Sequence, residues 1–311
     1  MHCLIIDVRA GRAELMPYRE LPGQDILVYQ ISLLRRAGFK DITVLSDFIA
    51  EDFRQAGITY YACPRPPKYA FLKRVLNDQP FLLLNGPALT DYPLNKLAEA
   101  YQADKPDVLC LTGGGLLGET FYVEPTAGTS EIAAQIYIIN PLLLTYYYHE
   151  YFETGLFLTE MLKHRRIIKC CSHKGWSECV NNYPAYLRAA HYLLGCGAVP
   201  GSPINNLYYG KKCEVDFTAD LGGRLFFGDN CQVGAQSRLQ DSLLLGQNTL
   251  GGGVRLTNCL LQKYVTIGNN CVLENCLIGE RSVIGDNVRL TDFVLAPRSV
   301  IKSGSGGGHG H

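Results

Sequence analysis

With 311 residues, 47% of them hydrophobic and 19% charged, the chain is long enough for one large domain or two ordinary ones, and too apolar to stay disordered. Its 29 basic and 29 acidic side chains cancel, so no net field draws it to nucleic acid or an anionic membrane, and small molecules and protein surfaces are the partners to expect. The 12 cysteines lack CxxC spacing, which excludes the common zinc and redox patterns and leaves reduced, mostly buried thiols, the vicinal Cys170 and Cys171 and nearby Cys179 included.

The opening MHCLIIDVRAG has no basic segment ahead of a long apolar run, and no stretch approaches the ~20 apolar residues that span a bilayer. A cytoplasmic protein is expected. From Leu4 the pattern reads strand (LIIDV), loop, amphipathic helix (ILVYQISLLRRAG) and second strand (DITVL), the start of an α/β sheet with parallel strands. FLLLNG at Phe81 to Gly86 reads as a further strand, followed by a helix from Leu94 to Tyr101 and strands from Val108 to Leu111 and from Ala134 to Ile139. The Tyr-rich segment 142–162 reads as helical, with Tyr146 to Tyr148 either in the core of that helix or on an exposed aromatic patch. The basic run KHRRIIK, Lys163 to Lys169, reads as a solvated helix end. A three-layer, Rossmann-like α/β domain over 1–200 accounts for these elements most simply.

Beyond it, four successive blocks of 17 residues repeat: LFFGDNCQVGAQSRLQD, SLLLGQNTLGGGVRLTN, CLLQKYVTIGNNCVLEN and CLIGERSVIGDNVRLTD, from Leu225 to Asp292. The ninth and tenth places are Val233-Gly234, Leu250-Gly251, Ile267-Gly268 and Ile284-Gly285, an inward aliphatic followed by a residue without Cβ, as a tight corner requires. The fifteenth place is always Leu (Leu239, Leu256, Leu273, Leu290) and the seventeenth is Asp241, Asn258, Asn275 or Asp292, a buried ladder and a turn. Cys259 and Cys276 both open a block and should stack as small core residues. Three short faces of about six residues, one residue trimmed, make a triangular coil, and a β-helix over 201–302 is expected. The tail 303–311, rich in Gly, Ser and His, reads as flexible. The repeat resembles the hexapeptide-repeat family, and the resemblance implies a left-handed parallel β-helix. Acyltransferases and carbonic anhydrases of that family use histidine as base or ligand, whereas no histidine occurs between His191 and His309. A structural, oligomerising module is the reading that remains.

The order of elements as a whole, and the segments ILVYQISLLRRAGFKDITVL, FLLLNGPALTDYPLNKLAEAY, AAQIYIINP and GWSECVNNYPAYLRAAHYLL, resemble the sugar-phosphate nucleotidyltransferases, or nucleotide-sugar pyrophosphorylases, many of which end in such a β-helix. That resemblance implies attack of a sugar phosphate on the α-phosphorus of a nucleoside triphosphate, with Mg²⁺ and basic groups stabilising the charge. It also implies a Gly-rich loop reaching the phosphates through backbone N–H groups. Here the loop DVRAGRAELMPYRELPGQDIL keeps Gly11, with Arg12 beside it and Arg9 and Arg19 near, but has Glu14 where the family's Arg would fall and no Lys before Lys40. Asn85 and Gly86 match the mid-sheet motif, yet Pro87 replaces the expected magnesium carboxylate. Glu178, two after Trp176, stands where a second metal carboxylate is expected, Asp91 is a possible substitute, and CPRPPKYAFLKRVL replaces the base-reading Gly-Thr-Ala stretch.

Loss of several independent contributions to one transition state favours a catalytically degenerate member serving as a regulatory, nucleotide-sugar-sensing or scaffold subunit. The expected nucleotide-binding residues are Gly11, Arg12, Asn85 and Gly86. Glu178 is the candidate metal ligand, with Mg²⁺ the cofactor only if the protein is active. The alternatives are an active pyrophosphorylase with altered ligands and, behind it, a hexapeptide acyltransferase. A nucleotide or sugar nucleotide, and a protein partner or further copy held through the β-helix, are the partners expected; nucleic acid and membrane are not.

Overall fold

The computed structural model describes residues 1–8, 20–47, 57–63, 65–76, 78–113, 120–122, 135–197 and 207–307. The chain divides into two compact units, one of Met1–Arg19 with Asp25–Ala185 and one of Glu20–Gln24 with Tyr186–His311. The division falls inside a helix, 15 residues before the end of the α/β segment expected from sequence. Among the described residues no helix is long and apolar enough to cross a membrane.

The first unit is built on β1 (His2–Asp7), α1 (Ile26–Arg36), β2 (Ile42–Ser46), β3 (Ile58–Ala62), α2 (Tyr69–Val75), β4 (Phe81–Asn85), β5 (Ala88–Thr90), α3 (Leu94–Asp104), β6 (Val108–Gly113), β7 (Thr120–Tyr122), β8 (Ile136–Ile139), α4 (Thr154–Lys163), β9 (Ile168–His173) and β10 (Ser177–Cys179). Eight strands form one sheet in the order β3-β2-β1-β4-β8-β6-β9-β7. β1 is parallel to β2 and β4, while β8 runs antiparallel to both β4 and β6. The sheet is therefore mixed, which the apolar pattern of β8 could not distinguish from a parallel strand because both faces are covered. Alternation decides the layers: Leu4, Ile6, Phe81 and Leu83 pack toward α2 and α4, and Cys3, Ile5, Leu82 and Leu84 toward α1 and α3. The segment expected to be one helix over 142–162 is a 3-10 helix at Pro141–Tyr146, an irregular stretch, and α4. In that stretch Tyr147 is buried among Phe152 and Phe157, whereas Tyr148 is exposed.

The second unit holds α5 (Tyr183–Gly195) from Tyr186 onward and a parallel β-helix of three six-stranded sheets. The 17-residue period is the register: Leu239, Leu256, Leu273 and Leu290 pair in sequence across one sheet, and Val233, Leu250, Ile267 and Ile284 across another. The Asp/Asn corner adopts φ of 47° to 53° at Asp241, Asn258, Asn275 and Asp292, the left-handed region those residues tolerate best. Side-chain amides link that corner upward, Asn258 Nδ2 donating to Asn275 Oδ1 at 3.3 Å and Asn275 Nδ2 to Asp292 Oδ1 at 2.9 Å. The glycines of the tenth place have a different cause from the one expected. They do not adopt positive φ; instead a Cβ on Gly234 would lie 2.6 Å from the carbonyl carbon of Gly251 in the next coil. Close approach between coils, not corner conformation, requires them. Cys259 and Cys276 are fully buried one coil apart, as expected of core residues. The coil continues through Gly306–Gly307, paired with Arg289 and Leu290, where a flexible tail was expected from 303.

One face of the β-helix is apolar on both sides. Leu244, Leu261 and Ile278 point into the core, so their neighbours Leu243, Leu260 and Leu277 point out, yet these too are fully buried. The outward column begins at Tyr208, whose hydroxyl donates to the Leu194 carbonyl of α5, and Arg224 Nη1 donates to the His191 carbonyl at 3.3 Å. At the far end the outward Val294 is 46% exposed. Burial lowers the pKa of His191 from its ordinary value, with the Arg224 guanidinium acting in the same direction and Asp241 opposing. In the window between that lowered value and the unfolded value of about 6.5, only the unfolded chain takes up the proton, so stability falls as pH drops through it and then levels off. Thermal unfolding of wild type and His191→Gln from pH 7.5 to 5 should show the wild type losing more of its Tm as pH falls; parallel curves would remove His191 from the account.

Candidate functional site

The C-terminal ends of β1 and β4, where sheets of this kind bind ligands, open into a cleft of ≈ 310 Å³ within the first unit. Its lining includes Asp7, Asn85, Gly86, Pro87, Gln135, Glu153, Thr154, Cys179 and Asn181. Asp7 closes β1 and is 2% exposed. After β4 the chain turns through Gly86, whose φ of 67° favours glycine and whose N–H donates to the Ile6 carbonyl at 2.7 Å. The turn is held from below by Gln30 of α1, which is fully buried and directs Nε2 to the carbonyls of Gly86 at 2.8 Å and Ala88 at 2.9 Å. With both acceptors on one side, the amide has a single orientation, and its Oε1 is left buried without a partner. Asn85 Nδ2 donates to Gln135 Oε1 at 2.8 Å, which turns Asn85 Oδ1 and Gln135 Nε2 to other uses.

Opposite, α4 presents its N-terminus. The Tyr147 hydroxyl donates to the Tyr151 carbonyl at 2.7 Å and accepts from the Glu153 N–H at 3.1 Å, fixing the approach to the helix. Glu153 is the N-cap but its carboxylate makes no capping bond, and Thr154 at the first helical position is 5% exposed with Oγ1 unpartnered. Asn181 follows β10; its Oδ1 accepts from Asn182 Nδ2 at 3.0 Å, leaving its own Nδ2 as a donor.

Of the residues expected from sequence, Asn85 and Gly86 line this cleft, while Gly11 and Arg12 lie outside the described residues. Glu178 is not part of the lining: it sits in β10 beside Cys179, and successive strand side chains face opposite ways, so Cys179 takes the cleft side. Asp91 is committed elsewhere, accepting from the Trp176 N–H at 2.8 Å. Asp7, Gln135, Glu153, Thr154 and Asn181 were not expected; the only signal for Asp7 is a carboxylate closing an apolar strand, and nothing in sequence brings the other four together.

The Mg²⁺ that the family resemblance implies does not fit the two positions assigned to it. The Pro87 side chain has no donor atom and its carbonyl already accepts from the Val180 N–H at 3.0 Å, and Glu178 is absent from the described lining of the cleft. Among the described residues no group of three or more His, Cys, Asp or Glu side chains could hold a metal ion.

No curated protein matches the chain. A solved structure from Bacillus anthracis, provisionally described as a glucose-1-phosphate thymidylyltransferase in complex with a sucrose, is similar at 12% identity and a TM-score of 0.49, covering 62% of this chain and 94% of that one. At that identity and score the likeness assigns neither ligand nor reaction here. The family model described as GMPPB C-terminal domain matches residues 203–304, a range that includes the coils described from Leu207 onward. The β-helix is thus similar to the GMPPB C-terminal domain family, in a match that does not extend into the α/β unit.

Proposed function

We propose that the chain is a sugar-phosphate nucleotidyltransferase-like protein that binds a nucleotide or sugar nucleotide in the cleft at Asp7 and Asn85 without transferring it, and serves as a regulatory or scaffold subunit through its β-helix. One observation carries the reading. The turn that would aim a metal carboxylate at the triphosphate is intact, stapled by Gln30, but carries Pro87 in place of the acid. A binding surface kept in shape without its charge-stabilising group retains recognition and loses the electrostatic contribution to the transition state, which in comparable sites is worth several kcal/mol.

The test is a pair of measurements on the full chain. Thermal stability should rise with a sugar nucleotide or nucleoside triphosphate, and pyrophosphate should not appear when triphosphate, sugar 1-phosphate and Mg²⁺ are supplied together. Absence of stabilisation by every ligand would remove the binding reading. The alternative, an active enzyme with altered ligands, draws on the two carboxylates Asp7 and Glu153 in the lining and requires pyrophosphate release.

A further inference from the structure

Resting on the scaffold part of the reading above, and independent of the cleft, we propose that one face of the β-helix joins a second copy of this chain, the two β-helices lying side by side about a two-fold axis parallel to their own. Of the three faces, one already has its outward column buried, beginning at Tyr208 against α5. The face of the leucine ladder turns Arg238, Arg255, Glu274 and Arg289 outward with Thr257 and Thr291, a solvated surface. The third, built on Val233, Leu250, Ile267 and Ile284, turns Thr249, Thr266, Val283 and Val300 outward in one column. Val283 is 43% and Val300 70% exposed, and Tyr264 at 44% and Phe217 at 95% stand at the two edges of the same face. Among the described residues the arginine face carries no large exposed apolar side chain, so these four gather on one of two open faces, the mark of a surface that meets another protein.

The pattern across that face selects a second copy as the occupant. Each coil offers three outward positions in a row, and a two-fold axis along the middle column sets the first position of one copy against the third of the other at the same coil height. Large side chains fill the first column, Gln247, Tyr264 and Arg281, and glycine fills the third, Gly251, Gly268 and Gly285, so each projection meets a position without Cβ. Charge obeys the same rule. The first column carries Lys212 in the first coil and Arg281 in the fifth, and the opposite edge carries Asp216 in the first and Asp286 in the fifth. The Arg281 guanidinium lies 5.0 Å over the Tyr264 ring. Asp286 Oδ1 accepts from the Asn269 N–H at 2.6 Å and from Asn269 Nδ2 at 3.2 Å, while its other oxygen takes no bond among the described residues. A uniformly acidic or basic partner would match one edge and be repelled by the other; a second copy matches both. The like-charge meeting, Lys302 with Arg298 of the second copy, falls in the last coil, where solvent screens it. At a ladder spacing of ~4.8 Å the face measures roughly 30 by 15 Å, or about 900 Å² over both copies, which makes a weak, micromolar dimer.

Sedimentation velocity of the full chain, from low to high micromolar concentration, should show a monomer–dimer equilibrium. Val283→Glu buries a carboxylate against its own copy at the axis and should raise the dissociation constant at least about tenfold. Because Val283 faces solvent in the single copy, the variant should unfold at the wild-type temperature when both are dilute enough to be monomeric. Arg255→Glu, on the arginine face, should leave the dissociation constant unchanged. Thr266→Cys, on the axis, should give a bismaleimide-linked dimer well above the wild-type background, and Thr257→Cys should not. A chain that stays monomeric at every concentration would overturn the proposal and self-assembly as the form of scaffolding, while leaving nucleotide binding in the cleft intact. A dimer that Val283→Glu does not weaken, or a trimer in place of a dimer, would overturn this face and axis and leave the scaffold reading standing.

Discussion

Leu273→Ala should destabilise the β-helix by about 3–4 kcal/mol, the middle of the range for a buried Leu truncation. Leu273 is fully buried between Leu256 and Leu290 of the adjoining coils. Those coils are fixed at the spacing of a parallel ladder, ~4.8 Å, by backbone bonds in all three sheets, so the walls of the cavity cannot close. An alanine at the exposed Thr266, whose side chain leaves the same coil for solvent, should change stability by less than about 0.5 kcal/mol. Urea unfolding followed by far-UV circular dichroism separates the two. Equal midpoints for Leu273→Ala and Thr266→Ala would mean that the leucine ladder does not hold the coils together.

Gln30→Leu should destabilise the first unit by about 2–3 kcal/mol. Leucine fills a similar volume but leaves the Gly86 and Ala88 carbonyls without the donors that Nε2 supplies at 2.8 and 2.9 Å. Removal of the unpartnered Oε1 recovers part of that cost, and the Gly86 carbonyl still accepts from the Ala88 N–H at 2.9 Å, so the expected figure is below the sum of two buried unsatisfied acceptors. The same change frees the turn that presents Asn85 to the cleft, so ligand-induced stabilisation should shrink along with the unfolding midpoint. Loss of stability with undiminished ligand response would show that the staple supports the fold and not the site.

How much was legible in sequence differs between the two units for physical reasons. In the β-helix each residue meets its equivalent 17 positions away, so a structural need is printed once per coil, and the leucine ladder and the Asp241–Asn258–Asn275–Asp292 corner stand out. Corners whose needs are met by unlike residues do not: Asn230, Gln247, Tyr264, Arg281 and Arg298 all adopt positive φ at one position of successive coils, and no shared chemistry marks them. In the α/β unit the sheet was recognisable from apolar runs, but the antiparallel direction of β8 was not, because a strand buried on both faces shows no alternation.

The lining of the candidate cleft was legible only where a local motif carried it. Asn85 and Gly86 belong to a short motif at the end of one strand, and both line the cleft. Glu178 illustrates the limit: spacing from Trp176 singled it out, but which of two consecutive side chains faces the cleft depends on the strand's register, Glu178 opposite Leu89 and Cys179 opposite Ala88. Glu153, Thr154 and Asn181 converge from segments far apart in the chain and share no pattern. The unbonded Thr154 hydroxyl in particular is visible only once its surroundings are known.

The central claim is that this cleft binds without reacting, and the most direct test is pyrophosphate release by the purified full chain supplied with nucleoside triphosphates, sugar 1-phosphates and Mg²⁺. The account predicts a rate indistinguishable from that without protein. Sustained release that depends on Mg²⁺ and is lost in Glu178→Ala would contradict it, because a carboxylate placed on the far side of its strand would then be holding the metal in a working active site.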